Sequence, residues 1–224
     1  MRDFLSKIDL FRGLSQEDYE FLYQQSDVIH FDKHQQIFRK GDSAECLYVL
    51  RSGMVKLYNL RKGTGKEEIV CLIKPLEFYC LAPLLSRELL HIHAMALESS
   101  ETLRIPKKTL EVLIERSHQF SKNVIQNLAG KECDLCEEVC DLSLSTTKER
   151  LAKYLLEEFQ KHQKTGALTL SLNQAQLASY LGTVRETVSR DLGSLKKARV
   201  IESKKGKISL LNPDELVQIA NGGQ

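Results

Sequence analysis

Residues Leu170 to Pro213 read LSLNQAQLASYLGTVRETVSRDLGSLKKARVIESKKGKISLLNP. The pattern predicts a helix over about Gln174–Leu181, a tight turn at Gly182 and a second helix from about Val184, the arrangement of a helix-turn-helix. Thr183 and Glu186 stand at capping-box spacing, which predicts a defined start for the second helix. RVIES and ISLLN, joined by the basic KKGK, then read as a β-hairpin beside it.

The first turns of the second helix are where side chains of such a motif reach base edges in a major groove. Here they offer Thr183, Arg185, Glu186, Ser189 and Arg190. Arginine matches the guanine O6/N7 pair bidentately, and a glutamate accepts from cytosine N4. Lys204, Lys205 and Lys207 on the hairpin, with Lys196 and Lys197, would neutralise phosphates and add affinity without sequence information. The plainer alternative is that Glu186 only caps the helix and the lysines only solvate a surface.

Charge supports the nucleic-acid reading. The net charge of +2 is split unevenly: residues 1–146 sum to −3, and residues 147–224 to +5. The C-terminal third is therefore the part suited to a polyanion. Upstream, the pattern from about His118 is helical with no proline before Pro213. Ile125, Leu128, Leu135, Val139 and Leu142 fall at a and d positions of a heptad, with Glu132 in the remaining a position. Such a seam predicts pairing with a second copy of the chain in a parallel two-helix contact. A further amphipathic helix starts near Thr147.

Val28–Ile105 has a different texture. VIHF, QQIF, CLYVLRSGMVKLYNL, EEIVCLI, HIHAMALES and ETLRIP are short apolar runs broken by KGDS, RSG and RKGTGK, which argues for an antiparallel sandwich or barrel. Before it, LFRGLSQEDYEFL holds a short amphipathic helix with Ser15 as its N-cap. A hydrophobic content of 42% with four prolines is that of an ordinary folded protein. No run approaches the roughly 20 apolar residues that cross a bilayer, and MRDFLSKIDL has no signal-peptide apolar region, so a cytoplasmic protein without membrane contact is expected. Six cysteines in that setting predict thiols or ligands more than disulfides.

From about Phe4 to Pro213 the chain resembles the Crp/Fnr family of bacterial transcription regulators. The resemblance is carried by LFRGLSQEDYEFL, IFRKGDSAECLYVLRSGMVKLY, LEFYCLAPLL, the long helix, and above all LGTVRETVSRDL. It implies an α+β fold: a cyclic-nucleotide-binding-like β-roll (a double-stranded jelly roll) over 1–117, a dimerisation helix over 118–145, and a winged helix-turn-helix over 146–224. It also implies a homodimer that binds double-stranded DNA at an inverted repeat of TGA-type half-sites and works with RNA polymerase. In this family an E-x-x-S-R or R-E-x-x-x-R arrangement reads that half-site, and Arg185, Glu186, Ser189 and Arg190 satisfy both versions.

The departures bear on the effector. Cyclic-AMP-binding members place a Glu and an Arg-Ser pair around the phosphate, whereas the matching positions here are Leu81, Leu90 and His91. A phosphate anion facing leucines is costly to bury, so cyclic AMP is not expected. Members with an iron-sulfur cluster carry ligand cysteines in an N-terminal extension, and the first cysteine here is Cys46. Cys80 resembles the thiolate ligand position of carbon-monoxide-sensing haem members, but Ala82 and Pro83 stand where their histidine would be. His91 is the favoured substitute over His93. The candidate effector site is thus Cys80, Leu81, Leu84 and His91, with Cys136 brought to it by family resemblance. Cys80 as a small buried apolar residue remains equally open.

KECDLCEEVC, Lys131 to Cys140, puts Cys133 and Cys140 at b and Cys136 at e, on one flank of the helix and outside the seam. Candidate metal ligands are Cys80, His91, Cys133, Cys136 and Cys140. Cys133 and Cys140 lie about 10.5 Å apart along a rigid helix, which opposes a complete four-thiolate zinc site built there. For the three helix cysteines packing, a thiol redox or metal sensor, and lining of a haem pocket stay open. For the effector a gas, redox or metal signal through haem, an iron-sulfur or other metal group, or the cysteines is favoured, with a small organic ligand in the apolar pocket and no cofactor as the alternative. An enzyme is not expected, since no P-loop, H-E-x-x-H or G-x-S-x-G occurs. A β-roll ligand-binding module without DNA binding would account for the first half only.

Overall fold

The computed structural model describes residues 2–86, 89–161, 167–169, 172–204 and 207–222. The chain divides into two compact units, Met1–Asp134 and Leu135–Gln224. The boundary falls inside one continuous helix.

The first unit opens with helix α1 (Arg2–Leu5), a single 3-10 turn at Asp9–Phe11 and α2 (Gln16–Gln24). Ser15 caps α2, its side chain accepting from the Asp18 N–H. Strands β1 (Asp27–Phe31), β2 (Gln36–Phe38), β3 (Cys46–Ser52), β4 (Val55–Leu60), β5 (Glu67–Ile73) and β6 (Phe78–Tyr79) follow. Helix α3 (Leu81–Ser86) then leads to β7 (His93–Ala96) and β8 (Ser100–Pro106). The strands form two antiparallel sheets, β1-β8-β3-β6 and β2-β7-β4-β5. Leu47, Val49, Leu103 and Ile105 of one sheet and Val55, Ile73 and Ala94 of the other share a single buried cluster with Phe11, Leu22, Leu110 and Phe120. The two-sheet β-roll is thereby as expected, while β6 and α3 had no separate signal in LEFYCLAPLL.

One glycine is required by this packing. Gly53 has φ +87°, and a Cβ there would collide with the Ser99 carbonyl and the Ser100 hydroxyl. It turns the chain from β3 into β4, which is why RSG interrupts the two apolar runs.

Helix α4 (Lys107–Arg116) leads through Ser117 into α5 (His118–Leu144). The base of α5 is fixed in the first unit. Phe120 is fully buried and stacks on Phe11 with ring centroids 5.9 Å apart. Burying such a side chain stabilises by about 1.5–3 kcal/mol. Beyond Val124, Ile125, Leu128, Leu135, Val139 and Leu144 of the same helix are exposed among the described residues.

The second unit contains the end of α5, then α6 (Thr147–Lys161), β9 (Ala167–Thr169), α7 (Gln174–Tyr180), α8 (Arg185–Lys197), β10 (Ile201–Lys204), β11 (Lys207–Leu210) and α9 (Pro213–Ala220). Leu151, Leu155, Leu177, Val188, Leu192, Leu195, Ile208 and Leu216 are its buried residues of largest consequence. The hairpin β10–β11 gains a third antiparallel strand, β9, which the sequence reading did not pick out. Helix α9 was likewise unforeseen, although Asn212 caps it and Pro213 opens it.

Candidate nucleic-acid interface and thiol-bearing turn

Helix α7 is set by a capping box: the Asn173 side chain accepts from the backbone of Ala175 and Gln176, and the Gln176 side chain reciprocates to the Asn173 N–H. Gly182, at φ +66°, makes the turn. The Thr183 N–H donates back to Ala178 O at 2.9 Å, so Thr183 belongs to the turn that closes α7. This corrects the expected Thr183–Glu186 capping box. The N-cap of α8 is Val184, without a side-chain cap, and Glu186 is an exposed residue of the first turn.

Helix α8 buries Val188, Leu192 and Leu195 and exposes Arg185, Glu186, Ser189 and Arg190. The buried spacing of four and three fixes the helix rotation, and the other four side chains consequently share the outer face. Thr183 is half-buried just before it. The Arg190 side chain is 75% exposed and approaches Asp191 no closer than 3.9 Å. Burial raises the Asp191 carboxyl above its ordinary pKa, opposed by the charges of Arg190 and Lys148. Lys196 and Lys197 are exposed in the last turn of α8. In the hairpin, Lys204 pairs with Lys207 at the end of the ladder. The side chains of Lys204 and Lys207, and Lys205 altogether, lie outside the described residues.

On α5, Ile125 (68%), Leu135 (58%) and Val139 (62%) are strongly exposed, and Leu128 is at 37%. Glu132 is exposed in line with them, and the Leu142 side chain lies outside the described residues. An apolar stripe of this length, uncovered in the single chain, marks an interaction face.

At the turn between β6 and α3, Cys80 adopts φ +74° and is 8% exposed. Leu81, Leu84 and Leu90 around it are buried as well. Burial alone pushes the Cys80 thiol well above its ordinary pKa. Next to it Tyr79 stacks on Tyr48 with centroids 5.2 Å apart, and Phe38 leans on both. The buried hydroxyls of Tyr79 and Thr102 lie near one another without meeting hydrogen-bond geometry. His91 is exposed. His93 is engaged elsewhere, stacked on Tyr58 and accepting from the Lys40 N–H at 3.2 Å.

Cys133, Cys136 and Cys140 are all exposed on α5. Among the described residues, no group of three or more His, Cys, Asp and Glu side chains is placed to hold a metal ion. Cys80 is thus buried while His91, named with it from sequence, is exposed.

Two family models match the chain. One, described as a cyclic nucleotide-binding domain, covers residues 28–117, and the other, a Crp-like helix-turn-helix domain, covers 149–219. The Cyclic AMP receptor protein of Thermus thermophilus is 30% identical over 215 residues, 95% of this chain and 97% of that protein. The transcriptional activator protein Anr of Pseudomonas protegens is 27% identical over 190 residues, 83% of this chain and 77% of its own length. The structure of FixK2 from Bradyrhizobium japonicum superposes with a TM-score of 0.78 at 24% identity, over 87% of this chain and 96% of that one, a likeness of fold. Since the near full-length relative spans both units and each family model falls on the unit whose geometry matches it, the chain belongs to the Crp/Fnr family of transcription regulators, which are not enzymes.

Proposed function

We propose that the protein is a homodimeric regulator that binds an inverted repeat of TGA-type half-sites, with α8 of each protomer in a major groove. The observation that carries this is the outer face of α8. Arg185, Glu186, Ser189 and Arg190 are exposed together over a buried Val188–Leu192–Leu195 face, as groove readout requires. Lys196 and Lys197, with the wing lysines, supply phosphate contacts. The stripe of Ile125, Leu128, Leu135 and Val139 pairs with its copy, and the two-fold axis so created matches an inverted repeat. RNA polymerase is the partner through which bound protein affects transcription.

The effector acts at the first unit and biases the dimer between two arrangements of its DNA-binding parts, by no more than its difference in affinity for them. Cyclic AMP is disfavoured because Leu81 and Leu90 are buried at the positions that would face its phosphate. A gas, redox or metal signal is the favoured class, received at Cys80 or on the Cys133–Cys136–Cys140 flank. The three exposed flank thiols favour chemistry there, whereas Cys80 is held protonated by burial. A small apolar ligand is the second reading, favoured by the apolar surroundings of Cys80.

A gel shift with inverted repeats of varied half-site sequence tests the DNA assignment. Nanomolar, sequence-dependent binding in some effector or redox condition supports it. Equal affinity for all duplexes, with reductant, oxidant, haem or apolar ligand alike, would sink it.

A further inference from the structure

The guanidinium of Arg150 in the first turn of α6 closes the ends of two other helices at once. Its Nη1 donates to Ser145 O at 2.6 Å, the carbonyl immediately after α5 ends at Leu144. Its Nε and Nη2 donate to Leu181 O at 3.2 and 3.1 Å, the carbonyl at the C-cap of α7. Carbonyls at a helix C-terminus lack intrahelical partners and carry the negative end of the dipole, so a cation is well placed at each. Arginine suits this task because its planar fork holds donors on separate nitrogens in fixed directions, so two acceptors set apart are met at once, whereas a lysine ammonium offers its donors from a single atom.

The surroundings make the bridge directional. Only Ser145 and Thr146 separate α5 from α6. Thr146 and Glu149 cap each other, the Thr146 N–H donating to Glu149 Oε2 at 2.7 Å and the Glu149 N–H to Thr146 Oγ1 at 3.3 Å. That fixes the first turn of α6 and hence the root of Arg150. On the other side, Leu181 is buried and only Gly182, Thr183 and Val184 intervene before α8 starts at Arg185. The same side chain therefore holds both the end of the dimerisation helix and the turn that launches the recognition helix.

We propose that Arg150 is a positioning residue for DNA binding: by joining Ser145 O to Leu181 O it sets the direction of α8 relative to the end of α5, and so the distance between half-sites that the dimer accepts. This rests on the proposed function as a dimer on an inverted repeat. In such a dimer, half-site spacing is a geometric consequence of how each recognition helix is held. Arg150 itself reads no base.

The test is affinity for a series of duplexes carrying the inverted repeat with the half-site spacing changed one base pair at a time. Full-length wild type is compared with Arg150→Gln and Arg150→Lys, and thermal unfolding of each is recorded alongside. Wild type should show a sharp optimum. Both variants should lose about tenfold at that optimum, the scale of a charged hydrogen bond given up, while neighbouring spacings stay within about twofold. Arg150→Lys keeps the charge, so its salt dependence should not change, and it serves alone if Arg150→Gln is too unstable to handle. An equal loss at every spacing, tracking a lowered melting temperature, would mean that Arg150 only stabilises the second unit and would overturn the proposal. An unchanged optimum in both variants would overturn it as well, with the DNA-binding assignment intact. If wild type itself shows no sequence-specific binding, the proposed function fails and this inference falls with it.

Discussion

Asn123 on α5 donates from Nδ2 to the carbonyl of Arg12 at 2.8 Å, and the same nitrogen reaches the Leu10 carbonyl at 3.1 Å. Asn123 is 5% exposed, so two carbonyls of the N-terminal segment have their hydrogen bonds met from inside the fold by one amide. This ties the root of α5 to the segment before α2. Replacing Asn123 with Ala strands both acceptors, and the expected loss is about 1–3 kcal/mol in chemical denaturation. A loss under about 0.5 kcal/mol would show that water satisfies the carbonyls equally well.

Gly53→Ala should destabilise the first unit by about 2 kcal/mol or more, because a positive φ and a backbone collision act together there. Gly63→Ala is the control, since its φ is also positive but nothing lies within 4 Å of the added carbon. The measurement is the melting temperature of the two variants, with Gly53→Ala expected to fall further.

Arg190→Ala should weaken binding to the best half-site by about 1–3 kcal/mol and flatten the preference among base substitutions. Lys197→Ala should weaken all duplexes alike and reduce the salt dependence. Competition gel shifts at several salt concentrations separate the two behaviours. If both substitutions scale affinity equally on every sequence, the division of roles is mistaken.

Val139→Glu places a charge in the exposed stripe of α5 without touching the core of either unit. Sedimentation should show a shift from dimer to monomer, with specific DNA binding lost in parallel and the melting curve of each unit little changed. Retention of the dimer would remove the stripe from the interface.

Tyr48 titrates at about 12, raised from 10.0 chiefly by burial. Between those values the unfolded chain has lost the proton and the folded one keeps it. Stability contributed by the neutral phenol is thus complete below about pH 10 and falls as pH rises toward 12. Tyr48→Phe should make denaturation midpoints less steep in pH across that window, measured from pH 9 to 12. An unchanged slope would place the alkaline sensitivity elsewhere.

Local pattern carried the fold a long way. The apolar runs of CLYVLRSGMVKLYNL became β3 and β4 with RSG at their junction, because alternation and a glycine turn are properties of the strand itself. The spacing in NQAQLASYLGTVRETVSRDL likewise located both helices of the motif. Strand β9 escaped notice since its three residues pair with β11 from a distance of some 40 positions, and such pairing leaves no local mark. The capping box was misplaced for a related reason. Thr183 has the right neighbours in sequence, but its N–H is already committed to Ala178 O.

Of the site residues, the sequence named the face of α8 because chemistry and helical period suffice for that. It also named the cysteines, as residue types. Their environments came only from the tertiary structure, which buries Cys80 among leucines and leaves Cys133, Cys136 and Cys140 exposed. Arg150 shows the same limit from the other side. In TTKERLAKYLLEEF it is one basic residue of an amphipathic helix, and its role follows from two carbonyls that folding brings to it, one five residues upstream and one thirty-one downstream. The sequence by itself marked the longer strands of the β-roll, the long helix and both helices of the helix-turn-helix, but not β6, α3, β9 or α9, since only the former show their period and residue type over enough positions. The tertiary structure decided which groups are buried and which helix ends share a partner, since burial and long-range hydrogen bonds exist only once distant segments meet.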